Sequence, residues 1–487
     1  MRNWIAFIVL SLILIVSIAF SKNEASQQLK DLSVFKEVLL SKEGRLNLHT
    51  DEHEFQKALD ELDHRFSTKR SLLNQFKLYA FTLSKIQCGH TQIHPNKEVF
   101  REWLKARNSL PFDMHFIGKR LVVNKLLSTD YPHINEGKNA FERAKKIDAG
   151  AEILAIDNKT VSEIMLGIGD YLSSDENGID FKYFQAAQLF DFFRHMSAPF
   201  TKDSILVQFV SNSDTNEIYM RTGTAPVRTM NNRLNNSALN FKLNESNFGE
   251  FTIKEGYGYF RFSSFKSAYG KKYELFLAQS FKKLRSRKVN KLIIDLRGNT
   301  GGVMQYSFMR YIIGEGVHLG RYVVEKPKNG VDSRYLKKIS PDYFKHKRVS
   351  KIQKRLKRKG TFDNGIIKTK EVDTNLIYKG EIVVITDEGT FSSSSILACH
   401  LKTLANAKII GRPAGGSFYI GNAGTLVLQL PKSKLKMYVN PNTFYSHLDR
   451  AIDPFAIKQP DIVLDPLIID SKKRDTYYIK QAKNAFK

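Results

Sequence analysis

Two segments limit what this chain can fold into: Lys291-Leu-Ile-Ile-Asp-Leu-Arg-Gly-Asn-Thr-Gly-Gly302 and Glu381-Ile-Val-Val-Ile-Thr-Asp-Glu-Gly-Thr-Phe-Ser-Ser-Ser-Ser-Ile396. Each is a short apolar strand that runs into a glycine- or hydroxyl-rich loop, the junction where open α/β sheets place their chemistry. Gly298, Gly301 and Gly302 allow positive φ and close backbone approach, so free N–H groups there can face an anion or a developing oxyanion. Ser392 follows the second strand, and a helix is expected from Ser393 to Lys402. A serine at that point can act as a nucleophile, assisted by the helix N-terminus and by the next backbone N–H.

A chain of 487 residues is too long for a single core, so two or three domains are expected. Residues 1–20 place Arg2 before an apolar run from Trp4 to Phe20, followed by the polar stretch Ser21-Lys-Asn-Glu-Ala. Two readings fit: a secretory signal cut near Ser17-Ile-Ala19, or an uncleaved N-terminal anchor that associates with a membrane. Both export the body of the chain to the periplasm, the membrane surface or the outside. No cysteine near residue 20 suits lipidation. Cys88 and Cys399 are too few for a disulfide framework and are expected as buried thiols. No Cys/His group has zinc spacing, and His90 with His94 runs straight into Pro95, so no metal or other cofactor is expected.

The formal net charge is +27, and nine Lys or Arg residues fall between Lys345 and Lys359 without an acid. Such a run is ordinarily a solvated surface insertion, here bounded at about 340–372; its functional reading is a contact for an anionic polymer or lipid. Export argues against nucleic acid as a partner.

The pattern along the chain is helical over about 25–110, where Phe55, Leu59, Leu62 and Phe66 recur at three or four residues. Over about 111–230 it changes to short strands, among them Leu121-Val-Val and Ile205-Leu-Val-Gln-Phe-Val210. Within this stretch Gly150-Ala-Glu-Ile-Leu-Ala-Ile-Asp-Asn-Lys-Thr-Val161 resembles part of PDZ domains, whose strand and helix hold a peptide terminus. After the polar joint Met230–Asn236, a third region over about 235–475 alternates strands and helices. It begins with a hairpin around Gly256 and helices over Tyr273–Leu284 and Tyr306–Ile313, which implies a mixed sheet with helices packed on it.

The third region resembles the catalytic core of the C-terminal processing peptidases and the related tricorn-core serine peptidases. The resemblance rests on Asp295-Leu-Arg-Gly-Asn-Thr-Gly-Gly302, Thr390-Phe-Ser-Ser393, Ala407-Lys-Ile-Ile-Gly-Arg-Pro-Ala-Gly-Gly416 and Pro460-Asp-Ile-Val463, in that order. It implies a multidomain α/β protein with a helical N-terminal cap, a PDZ-like module and a ClpP/crotonase-like core. The lysine of the processing branch falls at Ser417, so the Ser-Lys pair is absent, and the sequence Cys88-Gly-His-Thr91 resembles the histidine position of the tricorn-like branch. The resemblance then implies Ser392 as nucleophile, His90 as general base, Asp453 as the supporting carboxylate, and Gly301 or Gly302 with Ser393 as oxyanion donors. The family's glutamate three residues after the nucleophile is Ser395 here.

Each assignment has a plainer counterpart. Ser392 can be a helix cap and His90 a core histidine. His400, two turns along the same helix, lies too far from Ser392 to take its proton. Asp295 and Arg297 are expected to brace the glycine loop, and Asp387 and Glu388 to shape the turn before the serine. The expected activity is hydrolysis of peptides or unfolded protein segments; the rival is an inactive envelope binding protein that keeps the fold.

Overall fold

Lys291–Asp295 and Glu381–Thr386 lie side by side as parallel strands, with Ile293 opposite Val383. The computed structural model describes residues 27–41, 43, 46, 48–105, 109–126, 147–187, 189–202, 204–221, 248–266, 270–303, 305–325, 336–339, 361–423, 425–447, 453–468 and 471–486. The N-terminal apolar run, the joint at Met230–Asn236 and the basic run Lys345–Lys359 lie outside the described residues.

The two strands are the centre of a six-stranded sheet in the order Ile462–Val463, Lys408–Gly411, Glu381–Thr386, Lys291–Asp295, Tyr257–Phe262, Gly249–Lys254. All pairs are parallel except the last, the hairpin expected around Gly256. Alternate side chains divide between two apolar layers, as the pleat requires. Leu292, Ile294, Ile382 and Val384 pack with the helices Gly270–Ser286, Gln305–Ile313 and Ser393–Ala405. Ile293, Val383, Ile385 and Ile410 pack on the other side with Tyr478 and Ala482 of the helix Ser471–Ala485. Coverage on both faces explains why these strands read as unbroken apolar runs.

A second six-stranded sheet is antiparallel and spans Phe112–Ile117 to Asp214–Arg221. Asp157 and Asn158, both at positive φ, turn the strand Glu152–Ile156 back on Lys159–Thr160. Thr160 and Glu163 then form a capping box that starts the helix Val161–Gly169. Two further four-stranded antiparallel sheets complete the described residues. One joins Gln92–His94 to Lys436–Val439, so the N-terminal region is hydrogen-bonded into the far end of the core. One continuous apolar cluster accordingly includes Leu59 and Phe76 before residue 110, Ile153 and Val207 after it, and Met437 and Val439.

Candidate active site

The site begins with two loops tied to each other. Asp387 Oδ1 accepts the N–H groups of Gly298 at 2.8 Å and Gly389 at 3.0 Å, Thr390 Oγ1 donates to the Leu296 carbonyl, and Phe391 N–H donates to the Asn299 carbonyl. Asp387 therefore shapes the turn before the serine and fixes the glycine loop. Glu388 turns away and takes a two-pronged contact from Arg412 at 2.6 and 3.0 Å. Asp295 and Arg297 pair at 2.7 Å beneath the same loop. Burial by itself would raise the Asp295 carboxyl, but Arg261 and Arg297 outweigh it and hold the group below the usual carboxylate range.

Between these loops the chain turns sharply at Ser392, whose φ of 57° and ψ of −127° lie where residues with a β-carbon are strained. The strain has an identifiable geometric source. The chain must leave Glu381–Thr386, reverse at Ser392 and enter the helix Ser393–Ala405 while the serine side chain stays outside the helix. Gly301, at φ +97°, packs so close that a β-carbon there would sit 2.8 Å from Ser392 Cβ. Ser392 makes no side-chain capping bond, so the plain role of helix cap does not describe it.

Ser392 Oγ lies 2.8 Å from His90 Nε2, although the two residues are 302 positions apart. The His90 ring leans on Phe391, with centroids 4.7 Å apart, and Phe391 stacks on Phe181 at 4.0 Å. Gly89 has to be glycine because a β-carbon would come within 2.7 Å of the Phe391 ring. Burial holds the His90 pKa below its ordinary value, with Asp175 pulling the other way. A neutral ring with Nε2 toward a serine hydroxyl can accept its proton, and the opposite nitrogen, Nδ1, then carries the ring N–H; Nδ1 is buried and has no hydrogen-bond partner.

The other expected site residues divide. Ser393 follows the Ser392 turn and Gly302 follows Gly301, packed against the Phe265 backbone, and the N–H groups of Gly302 and Ser393 donate to no group among the described residues. The Gly301 N–H is donated to Asn299 Oδ1 at 2.9 Å, so Gly301 is corrected from oxyanion donor to packing partner of the turn. Asp453 is exposed, and its carbonyl accepts the Ile457 N–H at the start of the helix Pro454–Lys458. His400 bonds Ser446 Oγ at 2.9 Å and stays out of the site. Ser395, in place of the family's glutamate, donates to the Thr390 carbonyl at 2.8 Å. Both cysteines are buried free thiols.

Asp175 was not foreseen. It is 3% exposed, accepts the Gly89 N–H at 2.7 Å and the Ser417 N–H at 3.1 Å, and lies with Cys88 and His90 in a group whose polar atoms are all within 4.8 Å. Ser417, at the place of the processing branch's lysine, also donates its hydroxyl to Glu176 at 2.6 Å. In the sequence Ser173-Ser-Asp-Glu-Asn-Gly178 reads only as a polar turn, which carries no signal for such a role.

Residues 256–463 match the model of peptidase family S41. The carboxy-terminal processing protease CtpB of Bacillus subtilis (strain 168) is 25% identical over 215 residues, 41% of this chain and 35% of that protein, so the match spans about a third of the relative's length. Among solved structures, mature CPAF superposes with a TM-score of 0.58 at 14% identity, covering 94% of this chain and 97% of that one. Mature CPAF complexed with lactacystin gives 0.59 at 13% identity, covering 94% and 98%. At these identities the likeness is one of fold.

Proposed function

We propose that this chain, which carries a peptidase family S41 domain, is an exported serine peptidase cutting peptides or unfolded protein segments, with Ser392 as nucleophile and His90 as general base. The observation that carries the reading is the 2.8 Å contact between His90 Nε2 and Ser392 Oγ at a strained turn. His90 takes the hydroxyl proton as Ser392 Oγ attacks the scissile carbonyl. The Ser393 and Gly302 N–H groups receive the negative charge that forms on the carbonyl oxygen. His90 then returns the proton to the leaving amine, which leaves an ester on Ser392. A water molecule, deprotonated by the same ring, releases the acid product.

Two finer points belong to the same proposal. The antiparallel-sheet region acts as a PDZ-like module that receives a substrate C-terminus by addition at an edge strand of the sheet, the strand Glu152–Ile156 being paired on both sides. The apolar N-terminal run directs the chain out of the cytoplasm. The test is to incubate residues 25–487 with a mixture of peptides and denatured proteins and identify new termini by mass spectrometry. Cleavage should occur with the unaltered chain and fall by roughly 10³-fold or more in Ser392→Ala and His90→Ala. Equal cleavage by Ser392→Ala would remove the assignment and favour a binding role for the fold.

A further inference from the structure

We propose that Asp175, carried on a loop of the antiparallel-sheet region, is the carboxylate that positions His90 and compensates its charge when it holds the Ser392 proton. The inference rests on the Ser392–His90 reading, and it moves the supporting carboxylate away from Asp453. A histidine that takes a proton in a buried site becomes an imidazolium, which needs a fixed negative group nearby.

Three observations converge on Asp175. Its carboxylate is 3% exposed and lies within 4.8 Å of a His90 ring nitrogen. The group is held still, because Oδ1 accepts the N–H of Gly89, the residue before His90, at 2.7 Å, and Oδ2 accepts the Ser417 N–H at 3.1 Å. The His90 Nδ1 is buried with no hydrogen-bond partner, so no carbonyl or other carboxylate competes for that N–H. The two side chains are not hydrogen-bonded in the structure; contacts of this kind commonly tighten once substrate is bound. Among the described residues, Asp175 is the charged group whose field acts on His90, and Asp453 is exposed at the start of another helix.

The surroundings show why a loop can serve this purpose. Glu176, at φ 55°, accepts the Ser417 hydroxyl and faces Lys458 at 3.7 Å, which pins the loop to the core where the processing branch would have its lysine. Among the described residues two other titratable groups stand close by: Cys88, in the same 4.8 Å group and kept protonated by burial, and Glu43, which accepts the Thr91 hydroxyl. A purely structural Asp175, bracing Gly89 against Ser417, would change stability and leave the kcat of the folded chain unchanged.

Cleavage of a susceptible peptide is measured against pH with the full chain and with Asp175→Asn and Asp175→Ser, the serine keeping an acceptor for Gly89. Loss of the carboxylate should lower kcat by roughly 10²-fold or more with KM within about threefold. It should also move the acid limb to lower pH by roughly one unit, because a positive ring loses its opposite charge. In parallel the His90 ring is titrated by NMR in the Ser392→Ala chain, with and without Asp175→Asn; its midpoint should fall. An unchanged His90 midpoint, or a shift that appears in Asp453→Asn and not in the Asp175 variants, overturns the inference. Absence of cleavage by the unaltered chain strikes instead at the peptidase reading, and the NMR titration tells the two failures apart.

Discussion

Ser392 holds a conformation that costs on the order of 1–3 kcal/mol, and the fold imposes it through Gly301 packing behind and the Asn299 carbonyl holding Phe391 in front. If that strain serves presentation of the hydroxyl, removing both together should release it. Ser392→Gly is expected to raise unfolding free energy by about 1 kcal/mol, after allowing for the extra freedom of glycine in the unfolded chain, while abolishing cleavage. Ser392→Ala keeps the β-carbon and should show no such gain; chemical denaturation of the two variants side by side checks this. At this scale the sequence was legible where a residue sits in a short pattern. Ser392 after an apolar strand and His90 in Cys88-Gly-His-Thr91 were both visible, and they meet in the structure. Asp175 was invisible because its neighbours come from residues 88–90 and 417, and no local spacing encodes that meeting. Gly301 was misread because a glycine-rich loop advertises free N–H groups, whereas Asn299 Oδ1 takes this one.

The two loops behave as one element, and their glycines are not equivalent. Gly298 at φ +68° has open space where a β-carbon would go, whereas a β-carbon on Gly301 would meet Ser392 Cβ, the Phe391 carbonyl and the Ser393 nitrogen within 2.9 Å. Gly298→Ala should therefore cost only the conformational strain, about 1 kcal/mol, and leave cleavage within severalfold. Gly301→Ala should push the serine turn and lower kcat by roughly 10²-fold. Equal losses in the two variants would mean that the loop acts only as a spacer. Elements with a single dominant signal were well legible. The expected strand Glu381–Thr386 was found with those limits, and the helix expected over Tyr273–Leu284 extends to Gly270–Ser286. The helix Ser471–Ala485 was not foreseen, because its covering face shows only Tyr478, Ala482 and Ala485 among lysines and other polar residues. The two small antiparallel sheets also escaped, since their pairs join strands as distant as Gln92–His94 and Lys436–Val439.

Across the whole molecule, the N-terminal region is fastened to the core by a buried carboxylate beside the histidine loop. Glu43 accepts Thr91 Oγ1 at 2.8 Å, Asn422 Nδ2 at 2.9 Å and the Asn440 N–H at 3.0 Å, and burial pushes its pKa up to about 7 despite these donors. The folded chain thus binds this proton more tightly than the unfolded chain, whose glutamates titrate near 4.5. Its contribution is fully present below that value and is lost as pH rises through about 7, amounting to about 3 kcal/mol if nothing relaxes. Between pH 5 and 8 the unaltered chain should lose more stability than Glu43→Gln, and parallel pH profiles of the two would refute the role. The same fastening brings His90 to Ser392, and that meeting is the central claim. Its most direct test is intact-mass and peptide mapping of the full chain after exposure to an alkyl fluorophosphonate at neutral pH. The account predicts a single adduct on Ser392 that forms at least about 10²-fold more slowly in His90→Ala. An adduct on another residue, or equal labelling of Ser392→Ala, would contradict it.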